Sequence, residues 1–269
     1  MSFLNKIQNQ SADRSRETTS TTKDRRNLEI TAAIIIALCL WQVGAMLVNN
    51  QLLLVTPFIV LKKLAVLLLD TGAWGVAAFS VLRIAAGFLL GLFTAIVFAA
   101  LAGRFRLAEV VLWPYISIIK STPIASFIIL CLIWLDARSL SVFIAFLIVL
   151  PVVYTNVLQG IKTTDSKLLE MAWLFEVTWW RRLRYIYVPQ ISPYLISACS
   201  VSIGMSWKAG IAAEVIGIPA GSIGEKLYEA KVYFSSGDLF AWTVIIIMIS
   251  ILFEKLFISG LKIFLGKGE

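Results

Sequence analysis

Runs of about twenty apolar residues constrain this chain more than any other feature. Residues 30–48 read ITAAIIIALCLWQVGAMLV, without one charge. The hydrocarbon core of a bilayer is about 30 Å thick, which a helix crosses in roughly 20 residues. Comparable runs lie at about 74–101, 110–132, 140–158, 194–215 and 240–257. Composition agrees: 59% of the 269 residues are hydrophobic, 15% are charged and the mean hydropathy is +0.86. Soluble domains sit near 45–50% apolar and about 25% charged. There is too little charge here to cover a soluble surface. The expectation is an all-α polytopic membrane protein with about six transmembrane helices.

The spans differ in character. Pro114, Lys120 and Pro123 fall inside the third, which predicts a broken or kinked helix. Pro151 lies inside the fourth. Gly87 and Gly91 form a GxxxG pair in the second, a spacing that lets helices approach closely. Residues 49–73 are apolar but cut by Pro57, Lys62 and Lys63. They predict an outer interfacial segment with a short surface helix, or a re-entrant piece. Residues 1–29 are too polar to pack and predict a mobile tail, and 259–269 a second short tail. The core domain spans 74–258.

Six spans place both termini on one side. With the termini in the cytoplasm, 16 of the 24 Lys and Arg residues fall in cytoplasmic segments and 5 in outer ones. That asymmetry is what the positive-inside rule requires. It also accounts for the net charge of +8 without nucleic acid. Histidine is absent, which removes His-based triads and most zinc sites. Cys39, Cys131 and Cys199 sit in apolar runs with no CxxC, as buried thiols do.

One internal segment breaks the pattern. Residues 160–190 form the longest cytoplasmic loop, and 170–189 read EMAWLFEVTWWRRLRYIYVP. Residues 166–175 predict a short helix. Trp179 to Tyr187 suit an interfacial anchor, with aromatic rings at headgroup level and arginines on lipid phosphate. Glu170 and Glu176 do not suit lipid. A helix that docks a soluble partner would use both bulk and charge.

This loop resembles the EAA loop of ATP-binding cassette importer permeases: Glu-Ala-Ala, three residues, Gly, nine residues, Ile, one residue, Leu-Pro. Glu170 and Ala172 match, Met171 replaces the first alanine, Glu176 stands at the glycine, and Ile186 and Val188-Pro189 follow at the same spacing. Glutamate tolerates positive φ poorly, so a less sharp turn or a longer docking helix is expected at Glu176. Further stretches resemble the nitrate, sulfonate, taurine and thiamine-precursor branch: SVLRIAAGFLLG at 80–91, KSTPIASFIIL at 120–130, PVVYTN at 151–156, WKAGIAAEVIG at 207–217 and GSIGEKLYEA at 221–230.

The resemblance implies the transmembrane domain of a type I importer. Two permease copies would form the pathway, two ATPase subunits would dock below, and an extracellular or periplasmic binding protein would deliver the solute. ATP and Mg would be bound by the ATPase. No cofactor or metal is expected on this chain, which lacks the GxxxxGK[ST] phosphate loop and so is not itself an enzyme. Glu170, Ala172, Trp173, Phe175, Glu176, Ile186 and Pro189 would couple to the ATPase, with Ala172, Trp173 and Phe175 filling a groove on it. Each could instead be an ordinary helix-surface residue.

Charged and polar groups inside spans face a cavity or a partner. Arg83, Lys120, Ser121, Thr155, Asn156, Lys208 and Glu214 are therefore pathway or gate candidates. Lys120 and Arg83 either line the pathway or snorkel to an interface. Glu214 is a gate, an interhelical group or a boundary acid. The cargo is a small solute, anionic or zwitterionic. The alternative, an ion-coupled secondary transporter, would carry inverted repeats, and none appears.

Overall fold

The structure, a computed structural model, describes residues 29, 31–48 and 54–266. The expected polar tail, apart from Glu29, lies outside the described residues, as do 49–53 and the last three positions. No strand occurs among the described residues. The chain divides into two compact units, 1–62 and 63–269.

The first unit contains α1, Thr31–Val48. Ile34, Ile35, Leu40, Met46 and Leu47 stand exposed around it, a surface suited to lipid and not to water. Helix α2, Pro57–Leu69, starts in this unit. Its first residue is a proline, whose missing N–H costs nothing at that position.

The second unit is the bundle. Helix α3, Thr71–Arg104, is 34 residues long, about 51 Å at 1.5 Å per residue. Asp70 caps it by accepting from Gly72 N–H at 2.9 Å. Its buried positions include Ala77, Ser80, Ile84, Gly87, Gly91, Ala95 and Ala99, one face of a helix at spacings of three and four. Small residues on that face let α6, Ala137–Lys162, come within backbone contact. A Cβ added to Gly91 would stand 2.8 Å from the Phe146 carbonyl oxygen and 2.9 Å from Val149 Cβ. The GxxxG pair is thus an interhelical contact.

The third expected span is two helices. Helix α4, Arg106–Ser121, and α5, Ile124–Cys131, meet at 103°. Pro123 supplies the break, since it disfavours helical backbone at Thr122. The Ser121 and Thr122 hydroxyls donate back to the Ser117 and Ile118 carbonyls at 2.9 and 2.7 Å, which satisfies the end of α4. Pro151, by contrast, lies inside an uninterrupted α6.

After α6 come α7, Ser166–Leu174, and α8, Trp179–Arg182. A π-helical turn, Leu183–Tyr187, leads into α9, Val188–Gly217. From Trp179 to Gly217 the helix is continuous over 39 residues. Pro189 sits in the first turn of α9. Its ring excludes the carbonyl four residues earlier, and the wider π turn just ahead accommodates that conflict. Helix α10, Ile223–Val232, and α11, Ser236–Phe264, complete the chain. Among the described residues five long helices are apolar enough to cross a membrane, and the bent pair makes a sixth crossing if counted as one.

The core is aromatic where α3, α9 and α11 meet. Phe88 packs edge-on to Phe257 and Phe253 at 5.0 and 5.9 Å, and Trp207 meets Phe253 at 5.9 Å.

The α3–α6 contact predicts the effect of crowding it. Gly91→Leu should lower stability by about 1–3 kcal/mol or more through overpacking, read as an earlier thermal transition in detergent. Gly75→Ala, where an added Cβ meets nothing within 4 Å, should leave the transition in place or raise it slightly.

Candidate functional site

Two groups of residues stand apart from ordinary packing, one at each end of α9. The first is the loop between α6 and α9. Asp165 caps α7 by accepting from Lys167 N–H at 2.9 Å. Its own N–H donates to Gln190 Oε1 at 2.9 Å, which ties the loop's two ends together. Thr163 Oγ lies 3.1 Å from the Tyr194 hydroxyl. Lys162 pairs with Glu109 of α4 at 2.5 Å. The loop helix is therefore held at its base.

Helix α7 turns a hydrophobic surface outward. Trp173 is 73% exposed and Phe175 is 72% exposed. Leu174, Trp179 and Trp180 are exposed beside them, and so are Glu170 and Glu176. Neither glutamate has an ion-pair partner among the described residues. Ala172 behaves otherwise. It is 1% exposed, so it cannot fill a groove on a partner as expected. It is the small inward residue on which the helix rests. Ile186 is half-buried in the π turn and Pro189 is exposed.

Glu176 corrects a second expectation. Its φ is +50°, so the turn has the left-handed conformation that glycine would take. Val177 N–H donates to Ala172 O at 2.9 Å and Glu176 N–H to Trp173 O at 3.0 Å. These two bonds make a Schellman cap. They satisfy carbonyls at the end of α7 and hold a non-glycine residue where it is strained. Helix α7 is therefore not lengthened; it stops at Leu174.

The second group lies at the opposite end of α9. Glu214 is fully buried. Ser80 Oγ of α3 donates to its Oε2 at 2.6 Å. Ser80 in turn accepts from Ile223 N–H at 2.9 Å, and Gly224 N–H donates to the same carboxylate oxygen at 3.3 Å. The first turn of α10 is thus pinned to α3 and α9. Only glycine fits at 224, where an added Cβ would collide with Glu214 and Val215 backbone. Ser141 of α6, also fully buried, adjoins the carboxylate. Glu214 is an interhelical group.

The remaining candidates disperse. Arg83 Nη2 donates to Ala137 O at 3.2 Å, and its guanidinium stacks 4.7 Å from the Phe79 ring centroid. It forms no ion pair among the described residues. Thr155 donates to Pro151 O at 2.8 Å and Asn156 to Val152 O at 2.8 Å, both within α6. Lys120 and Ser121 are exposed at the α4–α5 break, and Lys208 is exposed on α9. Sequence reasoning missed Ser80, 134 residues from its partner Glu214. No local pattern signals such a pair. Among the described residues no group of acidic, cysteine or histidine side chains could hold a metal.

Long apolar helices, a bent pair and a capped, aromatic loop helix define a multi-pass membrane protein of the importer-permease class. The chain belongs to the family described as binding-protein-dependent transport system inner membrane component, whose profile matches residues 87–262. It is 29% identical over 216 residues to the putative aliphatic sulfonates transport permease protein SsuC of Bacillus subtilis (strain 168), covering 79% of this chain and 77% of the relative. It is 24% identical over 224 residues to the taurine transport system permease protein TauC of Escherichia coli (strain K12), covering 80% of each. A nitrate import permease protein, NrtB of Synechococcus elongatus, is 26% identical over 160 residues, 59% of this chain and 56% of the relative.

Two substitutions test these geometries. Glu176→Gly should stabilise the loop by about 1 kcal/mol, since a non-glycine residue at positive φ carries strain of that order. Slower amide exchange at residues 176 and 177 would report it. Ser80→Ala removes the acceptor for buried Ile223 N–H and should cost about 1–3 kcal/mol, with faster exchange at 223 and 224 and little change in α7.

Proposed function

We propose that this chain is the permease of an ATP-driven importer, forming the route for a small solute and coupling it to a separate ATPase. The observation that carries the reading is the α7 loop. It is braced at its base by Asp165, Gln190 and the Lys162–Glu109 pair, yet presents Trp173, Leu174 and Phe175 uncovered. A rigid projection with an apolar tip and two free acids is suited to a groove on a soluble protein with basic groups nearby.

On this reading the loop and both termini face the cytoplasm of a cell membrane, as the basic residues require. Two copies of the chain, related by a two-fold axis, place two loop helices over two ATPase subunits. Nucleotide and Mg bind to those subunits, and closure of the ATPase pair moves the loops together. A binding protein delivers solute at the α10 end. Relatives named for sulfonates, taurine and nitrate make a small anion or zwitterion the cargo class.

The test is gentle extraction of the tagged chain from its native membrane, followed by mass measurement of the intact complex. Two copies with two ATPase subunits support the reading; a chain that repeatedly runs alone or as a bare homodimer overturns it. Trp173→Ser with Phe175→Ser should weaken ATPase retention at least about tenfold, the loss of roughly 1.4 kcal/mol that hot-spot aromatics exceed. Glu170→Lys should abolish ATP-dependent uptake with the chain still inserted. Unchanged uptake in that variant would remove Glu170 from the docking contact.

A further inference from the structure

Helices α3, α6 and α9 bring a set of polar atoms together at the α10 end of the bundle. Arg83 lies one turn after Ser80 on α3, and Ser80 Oγ donates to Glu214 of α9. Arg83 Nη2 donates to Ala137 O, and Ser141 follows Ala137 by one turn on α6. The three helices touch at this level. A Cβ added to Gly217, one turn after Glu214, would stand 2.9 Å from Leu140 Cδ2 and 3.7 Å from Ala137 Cβ. One added to Gly210, one turn before Glu214, would stand 2.7 Å from Ile84 Cγ1.

Each helix contributes one buried polar atom that no other group satisfies. Arg83 Nη1, Ser141 Oγ and Glu214 Oε1 are shielded from solvent and make no hydrogen bond of ordinary geometry among the described residues. Ser141 and Glu214 are fully buried. Folded proteins leave few such atoms unsatisfied, and three in one place call for a shared partner. The two charged groups are each held elsewhere. Arg83 is tethered by Ala137 O and stacked on Phe79. Glu214 is held through its other oxygen by Ser80 and Gly224. Asp136 and Arg138 flank Ala137, but both are exposed and neither pairs with Arg83.

The chemistry of the three atoms selects the partner. Arg83 can only donate, Ser141 can donate or accept, and a carboxylate can only accept. An anion would lie against the carboxyl group and a cation against the guanidinium. A neutral molecule that both donates and accepts suits all three, and a buried water typically makes about three hydrogen bonds. We infer that one water molecule is bound where α3, α6 and α9 meet, accepting from Arg83 Nη1 and bonding to Ser141 Oγ and Glu214 Oε1. The water joins Arg83 to Glu214 without a direct ion pair. It also ties the first turns of α6 to the point at which Ser80 and Glu214 pin α10. Arg83 is half-buried, so water enters past its stem. The site is independent of what the chain transports.

The test images the assembled transporter in lipid nanodiscs by electron cryo-microscopy, at a resolution that shows ordered water. One density peak at about 2.7–3.2 Å from Arg83 Nη1, Ser141 Oγ and Glu214 Oε1 supports the site. Arg83 or Ser141 bonded directly to Glu214, with no peak among the three atoms, overturns it. A peak with contacts of about 2.3–2.6 Å also overturns it, since that range marks a cation. Exchange of the Ile223 and Gly224 amides gives a second reading. Arg83→Met and Ser141→Ala should each speed it about tenfold, as the loss of a buried hydrogen bond does. Both substitutions remove a bond to the same water, so the double variant should also exchange about tenfold faster. A gain of about a hundredfold, the product of two independent effects, overturns the shared ligand. Single variants that leave exchange unchanged overturn it as well. Neither readout needs ATP-driven uptake, so the permease reading and the water site can fail separately.

Discussion

The close approach of α3 and α6 carries the bundle. In lipid there is no hydrophobic force to push two apolar helices together, so their association depends on van der Waals contact and on the polar bonds between them. Gly87 and Gly91 let α3 reach the backbone of α6 at Val142 and Phe146. The same α6 packs its buried positions, among them Val149, Val153 and Val157, into one core with Ala198, Ile203 and Trp207 of α9. Helix α9 then positions both candidate groups, since the loop feeds its first turn and Glu214 occupies its last. A larger residue at 87 or 91 would displace α6, and with it the base on which α7 is braced.

The polar groups of the interior follow a related economy. Ser80, Ser141, Ser202, Ser206 and Glu214 are among the buried polar side chains of a mostly hydrocarbon bundle. Ser202 and Ser206 return their hydrogens to carbonyls of their own helix at 3.2 and 2.9 Å. Ser80 and Glu214 instead bond across elements, to backbone N–H groups of α10 that would be orphaned without them. Two polar side chains thus stabilise a helix start that lies outside the long spans. This contact gives the α10 end a defined position without an ion pair.

What the sequence made legible is governed by length scale. The spans follow from apolar run length, and the break between α4 and α5 from Pro123, because both are local properties of the chain. The short helix α7 was visible through its charges and bulk. Two features of the loop were not. Glu176 adopts positive φ against its own preference, because the cap bonds from residues 176 and 177 outweigh a local strain. Ala172 reads as a surface residue of a docking motif, yet it faces inward, because a short helix resting on a bundle needs one small side to lie flat. The Ser80–Glu214 bond joins positions too distant for any periodicity to reveal.

The unbroken helix from Trp179 to Gly217 has a mechanical consequence. At 39 residues it is about 58 Å long, and an α-helix resists axial compression because every hydrogen bond along it would have to shorten. It therefore keeps a fixed distance between the tryptophan end and the α10 end. The π turn at Leu183–Tyr187 and Pro193 both lie near the tryptophan end, so any bend is concentrated there and the remainder of the helix, up to α10, stays straight.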